Sequence, residues 1–246
     1  MTQMGDNDRA ADNKYDIHGP WAFCVILCGP SSPSSLPSPT LNPTPEPGPL
    51  KDKKEFLRQR CKTYRKRLTD AQYALQSRAI CQTLASLPEI QTARTLHAYW
   101  PRCPDREIDL RPLLLELQAQ NKQIFLPVVV NFNLDKSLSP RMRQGLFTTS
   151  EALRLNRWGI HEPTGFQSVP RTRIDAILVP ALCAGRNGHR IGYGRGYYDE
   201  FLAGLDTPLI CAVYHPCLFD DVPAGPLDVP MTHIVTEDEV LNFSAL

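Results

Sequence analysis

Polar and basic residues with few apolar ones fill the stretch from Lys51 to Leu68, which reads as a helix. Thr69 then stands where a helix cap belongs, ahead of a second predicted helix from Asp70 to Leu87. Its apolar positions Ala74, Leu75, Ala79 and Leu84 recur near helical spacing, and Pro88 closes it. Thr95 to Trp100 is a predicted strand, Asp109 to Asn121 a helix holding Leu113-Leu-Leu-Glu-Leu117, and Gln123 to Val130 another strand. Further on, the short apolar run Ile174 to Val179 reads as a buried strand, Tyr197 to Ala203 as a helix and Leu209 to Tyr214 as a strand. Strands alternating with helices predict an α/β domain built on a largely parallel sheet. Such sheets bind ligands beyond the carboxyl ends of their strands.

Composition changes this picture at the amino terminus. Of the 246 residues, those from Gly29 to Leu50 are dominated by Ser and Pro, with Pro30, Pro33, Pro37, Pro39, Pro43, Pro45, Pro47 and Pro49. That composition resists helix and sheet, so residues 1–50 are expected to form a disordered extension and 51–246 a single domain. The apolar segment Trp21 to Cys28 is too short to span a bilayer and follows acidic residues rather than a basic region, so a soluble, cytoplasmic protein is expected. Eight cysteines occur without any Cys-x-x-Cys pair, and His161-Glu162 runs into Pro163 rather than a zinc-protease spacing; free or buried thiols in a reducing compartment are expected.

Charge is uneven. The whole chain carries a net +1, yet Lys51, Lys53, Lys54, Arg58, Arg60, Lys62, Arg65, Lys66 and Arg67 crowd the first predicted helix. No aromatic platform accompanies them, so a solvated helix face is expected for most. Lys54 and Arg58 are the exceptions, because four residues apart they share a face and can meet one polyanion.

The richest chemistry lies in Arg190-Ile-Gly-Tyr-Gly-Arg-Gly-Tyr-Tyr-Asp199, where Gly192, Gly194 and Gly196 alternate and Arg190 and Arg195 add charge. Glycine lets backbone N–H groups turn toward a ligand, and guanidinium groups suit phosphate oxygens. Placed between a predicted strand and a predicted helix, the segment points to an anion at the junction, although a structural corner uses glycine equally well. It has neither the ending of a Walker A loop nor the glycine spacing of a dinucleotide fingerprint.

Lys54-Glu-Phe-Leu-Arg58, Tyr99-Trp100 with Glu107-Ile-Asp109, Gly159-Ile-His-Glu-Pro163 and Gly188 through Asp199 together resemble the 5-formyltetrahydrofolate cyclo-ligase family, also called 5,10-methenyltetrahydrofolate synthetase. The similarity covers about residues 53–240, including Leu227-Asp-Val-Pro230 and His233-Ile-Val-Thr236. The resemblance implies a three-layer, Rossmann-like α/β fold of the NagB/RpiA/CoA-transferase type, with helices on both faces of the sheet. It implies an ATP site from Lys54, Glu55, Phe56, Leu57 and Arg58 together with Arg190, Ile191, Gly192, Tyr193, Gly194, Arg195, Gly196, Tyr197 and Tyr198. Folate would meet Arg58, Trp100, Glu107, Tyr193, Gly194, Arg195, Gly196 and Tyr197, with Glu107 accepting from the pterin ring. Asp199 and Asp228 would serve Mg²⁺, and Arg190 and Arg195 would stabilise the transferring phosphoryl group.

The implied reaction is a ligase reaction of one-carbon metabolism: the N5-formyl oxygen attacks the γ-phosphate of ATP, N10 attacks the activated carbon, and phosphate leaves the 5,10-methenyl bridge behind. Expected partners are ATP and 5-formyltetrahydrofolate, with its polyglutamylated forms in the same class; neither nucleic acid nor a membrane is expected, and the expected state is a monomer. Two departures from the family pattern stand out. Ala184-Gly185 replaces the usual Phe-Asp, which is expected to loosen the base of the loop, and the spacer from Trp100 to Glu107 is longer than usual. An inactive nucleotide- or nucleic-acid-binding module on the same fold, and a sugar-phosphate isomerase or acyl transferase, are the alternatives.

Overall fold

Thr69 caps its helix from both sides: its hydroxyl accepts from the Gln72 amide at 3.2 Å while the Gln72 side chain accepts from the Thr69 amide at 2.9 Å. The computed structural model describes residues 49–131, 141–164 and 169–243, which belong to one compact unit. The expected disordered extension lies outside the described residues except for its last two positions, where the first helix already begins.

That helix is α1 (Leu50–Arg67), followed by α2 (Asp70–Ser86), α3 (Pro88–Thr92), β1 (Thr95–His97), α4 (Arg111–Ala119), β2 (Gln123–Asn131), β3 (Arg141–Leu146), β4 (Leu153–Leu155), β5 (His161–Pro163) and β6 (Ala176–Val179). After them come β7 (Cys183–Gly185), β8 (Arg190–Ile191), α5 (Tyr197–Leu202), β9 (Leu209–Ala212), β10 (Leu218–Phe219), β11 (His233–Val235) and β12 (Val240–Asn242). Pro88 does end α2, but it also starts α3, where its fixed φ suits the first helical turn.

Seven strands form the main sheet in the order β12-β11-β9-β6-β1-β2-β3. The five central strands run parallel, and β3 and β12 close the edges antiparallel. Every residue of β6 and β9 is buried, which explains their unbroken apolar sequences: a central parallel strand is covered on both faces. The chain moves from β1 to β2 in one direction and from β6 to β9 in the other. Right-handed crossovers therefore lay α4 and α5 on opposite faces.

The apolar stripe expected on α2 holds at Leu84 and partly at Ala79 but fails in the first half of the helix. Leu75 is 69% exposed and Ala74 faces solvent, whereas Ser77, Ile80 and Leu84 are buried. The helix is fixed partly by polar contacts that no hydrophobic period records: the Asp109 amide donates to the Ser77 hydroxyl at 3.1 Å, and the Tyr73 hydroxyl donates to the Glu107 carbonyl at 2.8 Å. All six described cysteines are free thiols. Cys61 of α1, Cys183 of β7 and Cys217 are buried close together. Among the described residues no helix is long and apolar enough to cross a membrane.

Candidate active site

The sheet order reverses direction between β1 and β6, and an open parallel sheet leaves a crevice beyond the strand ends at such a reversal. β1 leads there into Ala98-Tyr99-Trp100, and β6 into Pro180-Ala181. The glycine-rich segment arrives at the same place, but not directly from a strand of the main sheet as the sequence predicts. A hairpin intervenes, in which β7 pairs antiparallel with β8 and puts Ala184 opposite Arg190. Parallel pairing with β10 secures the other edge of β7, so Ala184-Gly185 does not loosen the loop base. A Cβ at Gly185 would meet the Asn187 side chain at 2.3 Å and the Val222 backbone at 2.8 Å, so a side chain does not fit there.

Arg190 is buried beneath the loop. Its Nη2 donates to Asp199 Oδ1 at 3.0 Å, its Nη1 donates to the Val229 carbonyl at 3.2 Å, and its Nε has no partner among the described residues. One N–H of each Arg190 prong holds Asp199 or the 229 backbone, so the guanidinium organises the base of the loop and keeps further donors for a ligand. Asp199 sits in the first turn of α5, which follows Gly196 in the left-handed region at φ 74°. Arg195, Tyr193 and Gly194 are exposed on the loop, whereas Ile191 is in the core.

One face of the basic helix is not solvated, whereas Lys51, Lys66 and Arg67 are exposed as expected. Lys54 Nζ is ion-paired with Asp228, Arg58 Nε donates to the Gly192 carbonyl at 2.9 Å, Lys62 lies 6.0 Å from the Tyr193 ring centre, and Arg65 is buried against Ala181 and Tyr193. Residues 54, 58, 62 and 65 follow helical spacing, so one face of α1 meets the loop. Gly194 has φ 83°, and a Cβ there would lie 3.0 Å from the Arg58 Nη2 and 3.1 Å from its Cζ. The backbone conformation calls for glycine, and a side chain there would also crowd the end of Arg58. Of the other residues expected near ATP, Glu55 is exposed and pairs with Arg58 at 3.1 Å, Phe56 is exposed, and Leu57 packs in the core. The side chains of Leu57 and Ile191 thus face away from any ligand.

Across the crevice, Trp100 is half-buried with Phe147 at 5.3 Å and His161 at 6.5 Å between ring centres. Glu107 is buried; its Oε1 accepts from the Tyr193 hydroxyl at 2.5 Å and its Oε2 from the Arg102 amide at 2.8 Å. The long spacer is thereby folded into a 3-10 turn at Cys103–Asp105, followed by Arg106 at φ 51° and clipped shut by Glu107 itself. A carboxylate keeps further lone pairs beyond those two bonds, so Glu107 still has acceptor capacity. Burial, and then the Glu107 carboxylate, pushes the Tyr193 hydroxyl well above the ordinary tyrosine value, so it remains a donor. Glu162 of the Gly159–Pro163 motif serves the frame, accepting from the Val129 amide at 2.8 Å and from Asn156 at 2.9 Å.

Two residues of this region escape sequence reading as site groups. Arg65 is hidden among nine cations, although its spacing from Arg58 is two helical turns and so marks the same face. His97 is fully buried, with Nδ1 at 3.1 Å from Gln144 Oε1 and Nε2 at 3.3 Å from the Tyr198 hydroxyl. Gln144 Nε2 donates to the Val169 carbonyl at 2.9 Å, which fixes the amide. Nδ1 therefore carries the proton and Nε2 accepts from Tyr198. Burial pushes this histidine down to about 4, partly offset by the Gln144 bond.

The carboxylates expected to serve Mg²⁺ both adjoin Arg190. Burial acts against the Asp228 charge, but the Lys54 ammonium and the Gly225 amide, with Arg190 nearby, hold its carboxyl below the ordinary value. Among the described residues no group of three or more His, Cys, Asp or Glu is arranged to hold a metal ion. Two aspartates, each with one oxygen outside the contacts just described, fit Mg²⁺ that arrives with a phosphate ligand, since that ion is commonly held by one or two carboxylates plus phosphate and water.

Comparison with known proteins bears on the same residues. The sequence model of the 5-formyltetrahydrofolate cyclo-ligase family matches residues 50–237. A 5-formyltetrahydrofolate cyclo-ligase of Mycolicibacterium smegmatis is 35% identical over 156 residues, 59% of this chain and 74% of that protein. The Escherichia coli K12 protein of the same name is 27% identical over 195 residues, 76% of this chain and the whole of its own length. The NMR structure of Aquifex aeolicus 5,10-methenyltetrahydrofolate synthetase superposes with a TM-score of 0.67 at 26% identity, covering 78% of this chain and 95% of that one.

Proposed function

The chain belongs to the 5-formyltetrahydrofolate cyclo-ligase family, and from that membership we propose that it converts 5-formyltetrahydrofolate to 5,10-methenyltetrahydrofolate with ATP and Mg²⁺, releasing ADP and phosphate. The observation that carries the reading is the meeting, at one crevice, of a cation-backed glycine loop with an aromatic wall and a buried acceptor. The first suits a triphosphate. The second, Trp100 with Glu107, suits a flat heterocycle bearing N–H donors.

Phosphoryl transfer asks for positioning and charge neutralisation rather than a protein nucleophile. Arg58 and the loop amides hold the triphosphate, Lys54 turns toward it from Asp228, and Arg195, exposed on the loop, faces the transferring group. Arg190 supplies positive charge from below and keeps Asp199 oriented. Asp199 and Asp228 are the residues that would hold Mg²⁺, which when bound spreads the charge of the phosphoryl oxygens. Attack of the formyl oxygen on the γ-phosphorus breaks the bond to ADP; N10 then closes on the activated carbon, loses its proton, and the former formyl oxygen departs with phosphate. Trp100, Glu107 and Tyr193 hold the ring system so that N10 stays over that carbon.

The alternative of an inactive nucleotide- or nucleic-acid-binding module draws on the basic helix, the Ala184-Gly185 departure and the amino-terminal extension; against its nucleic-acid form, Lys54, Arg58, Lys62 and Arg65 turn to the loop. The test is the appearance of methenyl absorbance when purified protein meets 5-formyltetrahydrofolate and MgATP. Product is expected only with both ATP and a divalent ion. Undiminished turnover in excess EDTA, or none under any condition, would refute the proposal.

A further inference from the structure

We propose that Arg65 is a positioning residue for the folate side of the crevice, acting through Tyr193, so that α1 sets the ring-binding wall as well as the phosphate loop. The inference rests on the functional reading above.

Arg65 is 3% exposed. Its Nη2 donates to the Ala181 carbonyl at 2.5 Å, its Nη1 reaches the Tyr193 hydroxyl at 3.5 Å, and its Nε is buried without a partner among the described residues. The guanidinium carbon lies 5.9 Å from the Tyr214 ring centre. No carboxylate among the described residues forms an ion pair with it. A buried guanidinium in that state is a poor stabiliser, because desolvation opposes the charge and an unmatched donor adds to the cost. Its counter-charge is one residue further away. The Tyr193 hydroxyl, which receives the Arg65 donor, gives its own proton to Glu107 Oε1 at 2.5 Å.

The three groups form a chain from cation through phenol to carboxylate. A hydroxyl that accepts from a guanidinium is polarised toward donation, so Arg65 and Glu107 strengthen each other's bond to Tyr193. Tyr193 sits between two glycines on an exposed loop, and the residue is 37% exposed while its hydroxyl is pinned. Without Arg65 the phenol would keep one anchor, Glu107, and the chain from guanidinium through hydroxyl to carboxylate would be broken. The ligand group that depends on this arrangement is the N–H-rich edge of the folate ring. The triphosphate meets Lys54 and Arg58, about two or more turns away along α1, and the loop's backbone amides rather than the Tyr193 hydroxyl.

The experiment is a double-mutant cycle read by binding of 5-formyltetrahydrofolate and of MgATP separately, using Trp fluorescence or calorimetry on the full chain. Arg65→Met, which keeps length and removes charge, is expected to weaken folate binding by about tenfold and MgATP binding by less than about twofold. Tyr193→Phe is expected to weaken folate binding similarly, and adding Arg65→Met to it to cost less than about a further twofold. Arg65→Lys should restore part of the loss, since an ammonium reaches one partner but not both. Equal weakening of both ligands by Arg65→Met, or full additivity with Tyr193→Phe, overturns the proposal. Should Arg65→Met not fold, unchanged folate affinity in Tyr193→Phe overturns it alone. Wild-type protein that binds no 5-formyltetrahydrofolate overturns the functional reading and this inference with it, whereas wild-type binding matched by both variants overturns only the inference.

Discussion

The two walls of the crevice are built by different means. The phosphate wall is backbone: Gly192, Gly194 and Gly196 shape it, Gly194 and Gly196 lie at positive φ, and the Arg58 guanidinium sits where a Cβ on Gly194 would crowd it. The ring wall is side chain: Trp100, Phe147 and His161 come from separate parts of the sequence, and Glu107 is fixed by a tyrosine and an amide. A wall made by backbone conformation must be spelled locally, because only certain residues tolerate it. A wall made by packing can be assembled from anywhere, and leaves little local trace.

The largest expected effect breaks the phosphate wall at its base. Arg190→Ala leaves Asp199 unpaired and removes the positive charge beneath the loop. Because Asp199 is 28% exposed, the stability loss should fall somewhat below that for a fully buried pair, at about 2–3 kcal/mol, or a melting-point drop of roughly 5–10 °C. The catalytic rate constant should fall about thirty- to a thousandfold at a temperature where the variant is still folded. Arg190→Lys should recover much of the stability and little of the rate, since a point charge cannot hold Asp199 and the Val229 carbonyl together. Melting curves and kcat on the same preparations check both; a normal rate in Arg190→Ala would place the base of the loop outside the chemistry.

The next effect concerns the joint between the walls. His97 ends β1, the strand that delivers Trp100, and its Nε2 holds Tyr198 of α5, the helix that follows the glycine loop. It is buried neutral, with a folded value of about 4 against about 6.5 unfolded. The unfolded chain therefore binds a proton between those values and the folded chain does not, so the stability is fully present above about pH 6.5 and is lost as pH falls toward 4. The full loss is about 3 kcal/mol. Denaturant unfolding at pH 7.5 and 4.5 should show His97→Gln losing about 2–3 kcal/mol less than wild type over that interval. Equal losses in the two proteins would mean that His97 does not titrate this way.

Legibility follows the same division. The Thr69 cap, the apolar runs at β6 and β9, and the helix that starts after Gly196 are local signals that appear within a few residues of their expected places, although a hairpin stands before the glycine segment. The hairpin of β7 and β8 is not foreseen, because strands of three and two residues have no period to read. Leu75 misleads on α2 because Ser77 and Tyr73 orient that helix through hydrogen bonds to residues more than thirty positions away. Cys61, Cys183 and Cys217 look scattered for the same reason. Arg65 was visible in spacing but not in environment: nothing in its neighbours on α1 says that Ala181 and Tyr193 will cover it.

The smallest expected effect sharpens where the phosphate wall stops. Arg60 lies on α1 between Arg58 and Lys62, but off the face that Lys54, Arg58, Lys62 and Arg65 share, and its guanidinium rests 5.1 Å from the Phe219 ring centre at β10. It is therefore not an idle surface charge, and Arg60→Ala should lower stability by about 0.5–1 kcal/mol, or roughly 2–4 °C in melting. Catalysis should be untouched, with kcat and both Michaelis constants within about twofold of wild type, because a partly solvated charge off the site face is screened by water and salt. The prediction separates two accounts of the basic helix. If its cations act as a diffuse positive field that gathers anions, Arg60 contributes as much as its neighbours, and the ATP Michaelis constant should rise in Arg60→Ala much as it does in Arg58→Ala. If only the inward face matters, the two variants part: Arg58→Ala loses the contact to the Gly192 carbonyl and the support under Gly194, while Arg60→Ala loses a ring contact and nothing at the crevice.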